Sequence, residues 1–184
     1  MLRTGRIKYL IKSSISMVLE KIELAAEQVL NQLNLNVIPV PVEEVASKLN
    51  IKIGREPSED FSGLLIRKDG NALIGVNNNE SNVRQRFTIA HELGHYFLHP
   101  KQDSFVDYRD NNTNKREMMR TPRERQANAF AAALLMPRSK LVKDVKAVFK
   151  QGVDVDDISE LAQKYEVSDE AMKYRLMNLH LINS

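Results

Sequence analysis

The chain has 184 residues, of which 42% are hydrophobic and 28% are charged, with a formal net charge of +3 and no cysteine. This length fits one domain with a small appendage, and so small a net charge does not by itself indicate nucleic-acid binding. The lack of cysteine excludes disulfides and cysteine-ligated zinc, so nothing in the chain would be disturbed by a reducing compartment.

The N-terminal region predicts a basic lead-in followed by a long helix. Residues 1–12 are basic, and from Ile15 the apolar residues recur at helical spacing, which predicts a helix over about residues 14–33. Lys12 and Glu20 interrupt the apolar region, so no signal peptide is expected. We therefore expect a cytoplasmic protein.

The next segment predicts a short helix and a small antiparallel sheet. Pro41 lies near the start of the helix, and residues 51–54 alternate like a strand. Residues 62–77 form two apolar runs around Asp69-Gly70, which is a hairpin signal. Strand 72–77 would bind an extended peptide if it lay at the sheet edge, through Ile74, Gly75, Val76 and Asn77. A fully paired core strand is the alternative, and the pattern does not separate the two.

The second half predicts a long loop between two buried helices. Asn78 or Asn79 can cap a helix over about residues 80–98. Residues 100–120 are polar and lack a pattern, so we expect a functional or mobile loop there. Another helix opens at Thr121 and ends near Met136. Its apolar stretch is too short to cross a bilayer.

The C-terminal region predicts two short helices joined at Val167-Ser168. The fold expected is α+β and helix-rich. We expect residues 1–12 to be the lead-in, 13–150 the main domain, and 151–184 a helical segment packed on it or appended to it.

The stretch "TIAHELGHYFLH" carries the chemistry. His91 and His95 are four residues apart, so on a helix both imidazoles lie on one face and can bind one ion. Glu92 lies beside that stripe, where it can reach metal-bound water as a general base, which is the logic of the H-E-x-x-H pattern. The pattern also occurs by chance, but apolar residues surround this one. Polar side chains on a buried helix are costly unless they have partners, so this environment favours the metal-binding interpretation.

A third protein ligand is expected for catalytic zinc. His99 is two turns from His91, roughly 12 Å along the helix axis, which is too far for a shared ion. It is expected to cap the helix or to line the site. Glu124 is the better candidate, although Thr121-x-x-Glu124 is also a capping box. Glu117 is a weaker alternative.

Asn128 lies four residues after Glu124 and shares its helix face. Its oxygen can accept the outer N–H of a ligand histidine and so fix the tautomer.

The segments "RQRFTIAHELGHYFLH" and "ERQANAFAAALLMP", in this order, resemble the ImmA/IrrE family of bacterial metallopeptidases. The likeness runs from about Phe61 to Pro137 and returns in the C-terminal tail. It implies a zincin-like metallopeptidase domain whose site is of the gluzincin type. The metal ligands would be His91, His95 and Glu124, with Glu92 as the catalytic base and Asn128 behind a histidine.

The resemblance also implies a substrate. Members of this family typically cleave a helix-turn-helix repressor of the XRE type, often encoded beside them, and thereby relieve repression of a mobile element or a stress response. Some are paired with phage or toxin–antitoxin-like modules. The implied cofactor is Zn²⁺, and Mn²⁺ is also compatible with these donors.

A regulator that binds DNA or a partner is the competing interpretation. The last two helices have the form of a helix-turn-helix, and Lys173, Arg175 and His180 lie in or after the second. Asp169 and Glu170 lie where such a helix would meet phosphate, and their charge repels DNA. Direct DNA binding is therefore not the expected function.

Overall fold

The computed structural model describes residues 3–101, 104–108, 121–149 and 155–183, and it does not describe the side chains of residues 3–15 and 106–108. Seven helices and four strands occur in this part of the chain. In chain order they are α1 (Arg3–Leu33), α2 (Val42–Lys48), β1 (Ile51–Glu56), β2 (Phe61–Lys68), β3 (Asn71–Asn77), α3 (Asn82–Leu98), β4 (Ser104–Tyr108), α4 (Pro122–Leu135), α5 (Arg138–Val148), α6 (Val155–Tyr165) and α7 (Asp169–Asn178). The α+β, helix-rich prediction is confirmed.

The sheet has the strand order β1-β3-β2-β4. β2 pairs antiparallel with both β3 and β4, whereas β1 pairs parallel with β3. The expectation of a purely antiparallel sheet is therefore wrong for the β1–β3 pair. The β2–β3 hairpin turns at Asp69 and Gly70, whose φ values of 51° and 77° are those of a two-residue turn that matches strand twist.

β3 is a central strand, so the expectation that it offers an edge to substrate is wrong. Ile74, Gly75, Val76 and Asn77 pair with β1 on one side, and the first three of them also pair with β2 on the other. The Asn77 side chain is buried and holds the β1–β2 loop through hydrogen bonds with the backbone of Ser58 and Phe61. These four residues are not at a peptide-binding edge.

Two helix boundaries differ from those expected. α1 begins at Arg3, so the helix includes most of the basic lead-in instead of starting near residue 14. Ser81, and not Asn78 or Asn79, caps α3, because its side chain accepts a hydrogen bond from the backbone N–H of Arg84.

β4 lies inside the segment expected to be a loop, and residues 109–120 of that segment lie outside the described residues.

One face of the sheet is covered by α3, and α4 packs between α3 and α1. Many of the largest buried side chains come from these layers, and they include Leu65, Ile74, Leu93 and Phe130. α3 and α4 are therefore the central helices, and both carry the candidate site residues. Within the described residues, no helix is at once long and apolar enough to cross a membrane.

Candidate metal centre

The approach of α3 to α4 depends on Gly94. A β-carbon at this position would lie 3.0 Å from both the Cα and the carbonyl oxygen of Ala127. Glycine costs roughly 1 kcal/mol relative to alanine in a helix interior, so its presence inside α3 is explained by this close backbone contact. The contact brings the turn that carries His91 and His95 opposite the first turn of α4.

Three side chains converge where the two helices meet. The Nε2 atoms of His91 and His95 lie 3.1 Å apart, and the carboxylate oxygens of Glu124 lie 3.1 Å from the first and 3.3 Å from the second. Both histidines are buried, and the Glu124 side chain is 21% exposed. In the described part of the chain, these three residues form a group whose ligand atoms could hold one metal ion.

The charge states of this group suit metal ligation. Burial alone would raise the pKa of the Glu124 carboxyl, but hydrogen bonds with His91 and His95 outweigh it and lower the pKa to about 2. Burial lowers the pKa of His95, although its hydrogen bond with Glu124 opposes this change. At neutral pH the site therefore presents a carboxylate and a neutral imidazole at His95, which are the forms that bind metals.

Asn128 lies behind His91. The Nδ1 atom of His91 donates to Oδ1 of Asn128 over 2.9 Å. If Nε2 gives up its proton to bind a metal, the Nδ1–H donated to Asn128 keeps the ring in the tautomer whose Nε2 lone pair faces the site. One turn earlier in α3, the ring of Phe87 lies with its centroid 6.2 Å from that of His91.

His95 is held by a residue that the sequence did not suggest. The ring of Phe105 in β4 stacks on the His95 ring with centroids 4.0 Å apart and planes at 20°. The Nδ1 atom of His95 has no hydrogen-bond partner among the described residues, so the ring is oriented by this stacking together with the contact of its Nε2 atom with Glu124. The alternation in "SFVDY" is the signal that could have indicated β4, but the surrounding polar residues obscured it.

Glu92 is fully buried on α3, next to His91 in sequence and against the backbone of β2.

His99 is the C-cap residue of α3, and its Nε2 atom donates to the carbonyl oxygen of Arg123 over 3.4 Å. It is not part of the converging group. Glu117 lies outside the described residues.

Thr121 also caps α4, as expected from the Thr121-x-x-Glu124 pattern, because the backbone N–H of Glu124 donates to the Thr121 hydroxyl. Glu124 thus uses its backbone to start α4 and its carboxylate to face the histidines.

β2 also fixes the far end of α3. The Arg67 guanidinium donates to the carbonyl oxygens of His95, Tyr96 and His99 over 2.7 to 3.1 Å. A cation at a helix C-terminus interacts favourably with the helix dipole and with the last carbonyl groups, most of which have no partner in the helix; here the His95 carbonyl also accepts from the backbone N–H of His99. The Arg67 contact anchors the turn that carries His95 to the sheet.

A buried helix with two histidines is met by a glutamate from a second helix beside a small sheet, and these three side chains could hold one metal ion, as the metallopeptidase class requires. The model of the IrrE N-terminal-like domain, peptidase family M78, matches residues 46–177, and since this is well over half of the sequence, the chain belongs to that family.

Three relatives are similar over part of the chain. Metallopeptidase ImmA of Bacillus subtilis is 35% identical over 75 residues, which are 41% of this chain and 41% of that protein. The radiation response metalloprotease IrrE of Deinococcus radiodurans is 33% identical over 104 residues, which are 56% of this chain and 30% of the relative. The IrrE protein of Deinococcus deserti is 35% identical over 104 residues, again 56% of this chain and 35% of the relative. The matches span less than half the length of these relatives.

A solved structure of a Mycobacterium tuberculosis transcriptional regulator superposes with a TM-score of 0.60 at 16% identity. The match covers 86% of this chain and 46% of that one. At this identity the likeness shows the fold alone.

Proposed function

We propose that the chain is a zinc-dependent endopeptidase in which His91, His95 and Glu124 bind the metal and Glu92 is the general base. The observation that carries this proposal is the spacing of the donor atoms. Two ligand atoms about 2 Å from one tetrahedral zinc ion lie roughly 3.3 Å apart, and the three spacings here are 3.1, 3.1 and 3.3 Å. The donor set of two imidazoles and one carboxylate suits zinc, and Mn²⁺ also accepts it.

Each of these residues has a separate role in the proposed peptide hydrolysis. His91, His95 and Glu124 would hold the zinc ion, which when bound would lower the pKa of water and polarise the scissile carbonyl. Glu92 accepts the proton of the attacking water and passes it to the departing amine. Asn128 keeps the Nε2 lone pair of His91 turned toward the ligand group. Glu124 would complete the set of three protein ligands that is usual for a catalytic zinc ion.

The substrate backbone is proposed to pair with β4. This strand lies at one end of the sheet, and among the described residues no strand pairs with its outer edge. Phe105 of β4 stacks on His95, so this edge runs past the ligand group. An extended peptide can add to such an edge. Methylation of alternate amide nitrogens in a substrate peptide should raise KM, and a KM insensitive to methylation at every position would exclude edge pairing.

The substrate proposed is an XRE-type helix-turn-helix repressor, whose cleavage would relieve repression of a mobile element, a phage or a stress response. Family membership supports a protein substrate, and the sequence resemblance supports this class of protein. The chain is proposed to act in the cytoplasm, where such a repressor works.

The experiment compares the zinc-loaded protein with Glu92→Gln, which keeps the size of the side chain and removes its basicity. The substrate is the XRE-type repressor encoded nearest to this chain. Wild-type protein should cleave it at a single region, and Glu92→Gln should lose at least a hundredfold in rate, within the usual range for general base catalysis. Glu56→Gln, which makes the same change at an exposed position of β1, is the control. Equal cleavage by wild type and Glu92→Gln would refute the assignment.

The alternative function is a DNA- or partner-binding regulator with a weak protease site, as in a toxin–antitoxin-like module. Lys173 and His180 are exposed, but Arg175 is buried and binds Glu23 and the carbonyl oxygen of Met136. One of the three basic groups is therefore not available to phosphate. A salt-dependent shift of promoter DNA by this protein alone would favour the regulator.

A further inference from the structure

Gly63 lies in β2 directly against the residue that we propose as the general base. A β-carbon added to Gly63 would stand 2.3 Å from the Cγ2 methyl of Thr88 and 3.1 Å from Oε1 of Glu92. Thr88 and Glu92 occupy successive turns of α3, and both are fully buried. The sheet therefore meets α3 at the Glu92 carboxylate with no room for a side chain between them.

The need for glycine at this position is one of space and not of backbone conformation. Among the glycines of the described residues, Gly70 is the one with a positive φ, so the φ of Gly63 is open to any residue. A real β-carbon does not lie 2.3 Å from another carbon, so a neighbour would have to move. Thr88 is fully buried, so its methyl can move away only by displacing other packed atoms.

The backbone of β2 is irregular at the same point. The pairing of β2 with β4 shifts in register between Phe61 and Gly63. Such irregularities bend a strand and are frequent beside active sites. Here the shift falls at the residue that contacts Glu92, next to the strand that carries Phe105.

We propose that Gly63 is a positioning residue that acts through Glu92. Its missing side chain lets the backbone of β2 form a wall, and this wall together with Thr88 confines the Glu92 carboxylate to the orientation needed for proton transfer. The inference rests on the proposed peptidase function, since it assigns Glu92 a role in that reaction. A methyl group at position 63 would displace the carboxylate and would leave His91, His95 and Glu124 in place.

The two close contacts can be separated by substitution. Gly63→Ala introduces both, and its clash with Thr88 threatens folding. Thr88→Ser removes the Cγ2 methyl, so Gly63→Ala/Thr88→Ser retains only the new methyl against Glu92. Thr88→Ser alone is the reference for the double variant. Gly54→Ala is the matched control in the same sheet, because a β-carbon there would lie 3.9 Å from Leu73 Cδ1, an ordinary contact.

The test measures zinc content, KM and kcat on the repressor, together with a crystal structure of the metal-free double variant. We expect Gly63→Ala/Thr88→Ser to bind one zinc ion per chain and to keep the KM of Thr88→Ser. Because the carboxylate would have to give by a few tenths of an ångström, less than the misplacement of roughly 1 Å that can cost a hundredfold, we expect a loss of about tenfold in kcat. Its crystal structure should show the Glu92 carboxylate displaced. Gly54→Ala should retain wild-type values.

A double variant with the kcat of Thr88→Ser, or with an unmoved Glu92 carboxylate, would overturn the inference. Undiminished cleavage by Glu92→Gln would instead overturn the assignment of Glu92 as the general base, and absence of cleavage by the wild-type protein would overturn the peptidase proposal. In either case the crystal structure would still report whether Gly63 sets the carboxylate position. If the double variant does not fold, a crystal structure of the wild-type protein decides. A Glu92 carboxylate more than about 5 Å from the Gly63 Cα atom, beyond van der Waals contact with an added methyl, would refute the proposed wall.

Discussion

The Oδ1 atom of Asn128 accepts a hydrogen bond from Nδ1 of His91 over 2.9 Å. This contact joins α4 to the ligand face of α3 and fixes which ring nitrogen of His91 faces Glu124. The oxygen is that of a neutral amide, so it orients the imidazole without adding a charge behind it.

Asn128→Ala should therefore lower the affinity for zinc by about 10- to 100-fold, the usual effect of removing a partner that orients a ligand. Asn128→Asp should retain the affinity or raise it, since a carboxylate polarises the imidazole more strongly. Competition with a chromogenic chelator measures both. Asn178→Ala is the control, because Asn178 lines the same 440 Å³ cavity as Asn128 and is exposed. Equal affinities for Asn128→Ala and Asn178→Ala would contradict the prediction.

The choice of Glu124 over His99 as third ligand predicts different zinc contents for two variants. Glu124→Ala should lose most of its zinc on dialysis, because its carboxylate oxygens lie 3.1 and 3.3 Å from the two histidines. His99→Ala should keep one zinc ion per chain, because His99 contacts the Arg123 carbonyl instead. Atomic absorption after dialysis measures the content. Zinc loss from His99→Ala together with retention by Glu124→Ala would reverse the assignment.

Much of the candidate site could be predicted because helical periodicity acts over short distances. Residues four apart share a face, so His91 and His95 could be placed together before any tertiary structure was known. On the second helix the same rule placed Asn128 on the face of Glu124, whereas Glu124 was chosen as third ligand because His99 was too far from His91 and because of the family resemblance. The close approach at Gly94 could be anticipated because glycine is costly inside a helix.

Contacts that depend on strand pairing could not be predicted in the same way. The central position of β3 results from its parallel pairing with β1, which is not encoded in the hairpin between β2 and β3. Phe105 and Gly63 reach the site only because β4 and β2 are neighbours. The alternation of residues within a strand predicts which face of the sheet each side chain occupies. It does not predict the order of the strands, which depends on contacts along the whole chain.

Asp144 provides a test of pH dependence away from the metal site. Burial alone would raise the pKa of its carboxyl, but the Lys164 ammonium and the Tyr165 hydroxyl, each 2.8 Å away, outweigh it and lower the pKa below 3.8. A carboxyl with a lowered pKa in the folded state stabilises the fold above the ordinary pKa. That stabilisation is lost as the pH falls through the lower, folded value.

Asp144→Asn should therefore reduce the free energy of unfolding by about 1–2 kcal/mol at pH 7, and the difference from wild type should shrink below pH 4. Urea unfolding between pH 3 and 7 measures it. The exposed Asp60 supplies the control variant Asp60→Asn. A difference between Asp144→Asn and wild type that stays constant down to pH 3 would show that the ionised carboxylate is not the stabilising group.

Arg175 is the strongest link between the C-terminal helices and the rest of the chain. It is 4% exposed, its guanidinium binds both carboxylate oxygens of Glu23 in α1, and it also donates to the carbonyl oxygen of Met136 at the end of α4. Removal of one partner from a buried ion pair leaves an uncompensated charge, which typically costs 3–5 kcal/mol.

Arg175→Met should therefore lower the free energy of unfolding by about 3 kcal/mol or more, measured by urea denaturation. Arg175→Met/Glu23→Leu should recover part of this loss, because it also removes the stranded carboxylate. Lys173→Met changes an exposed cation in the same helix and should stay within about 0.5 kcal/mol of wild type. If Arg175→Met is as stable as Lys173→Met, the guanidinium does not anchor the helix pair.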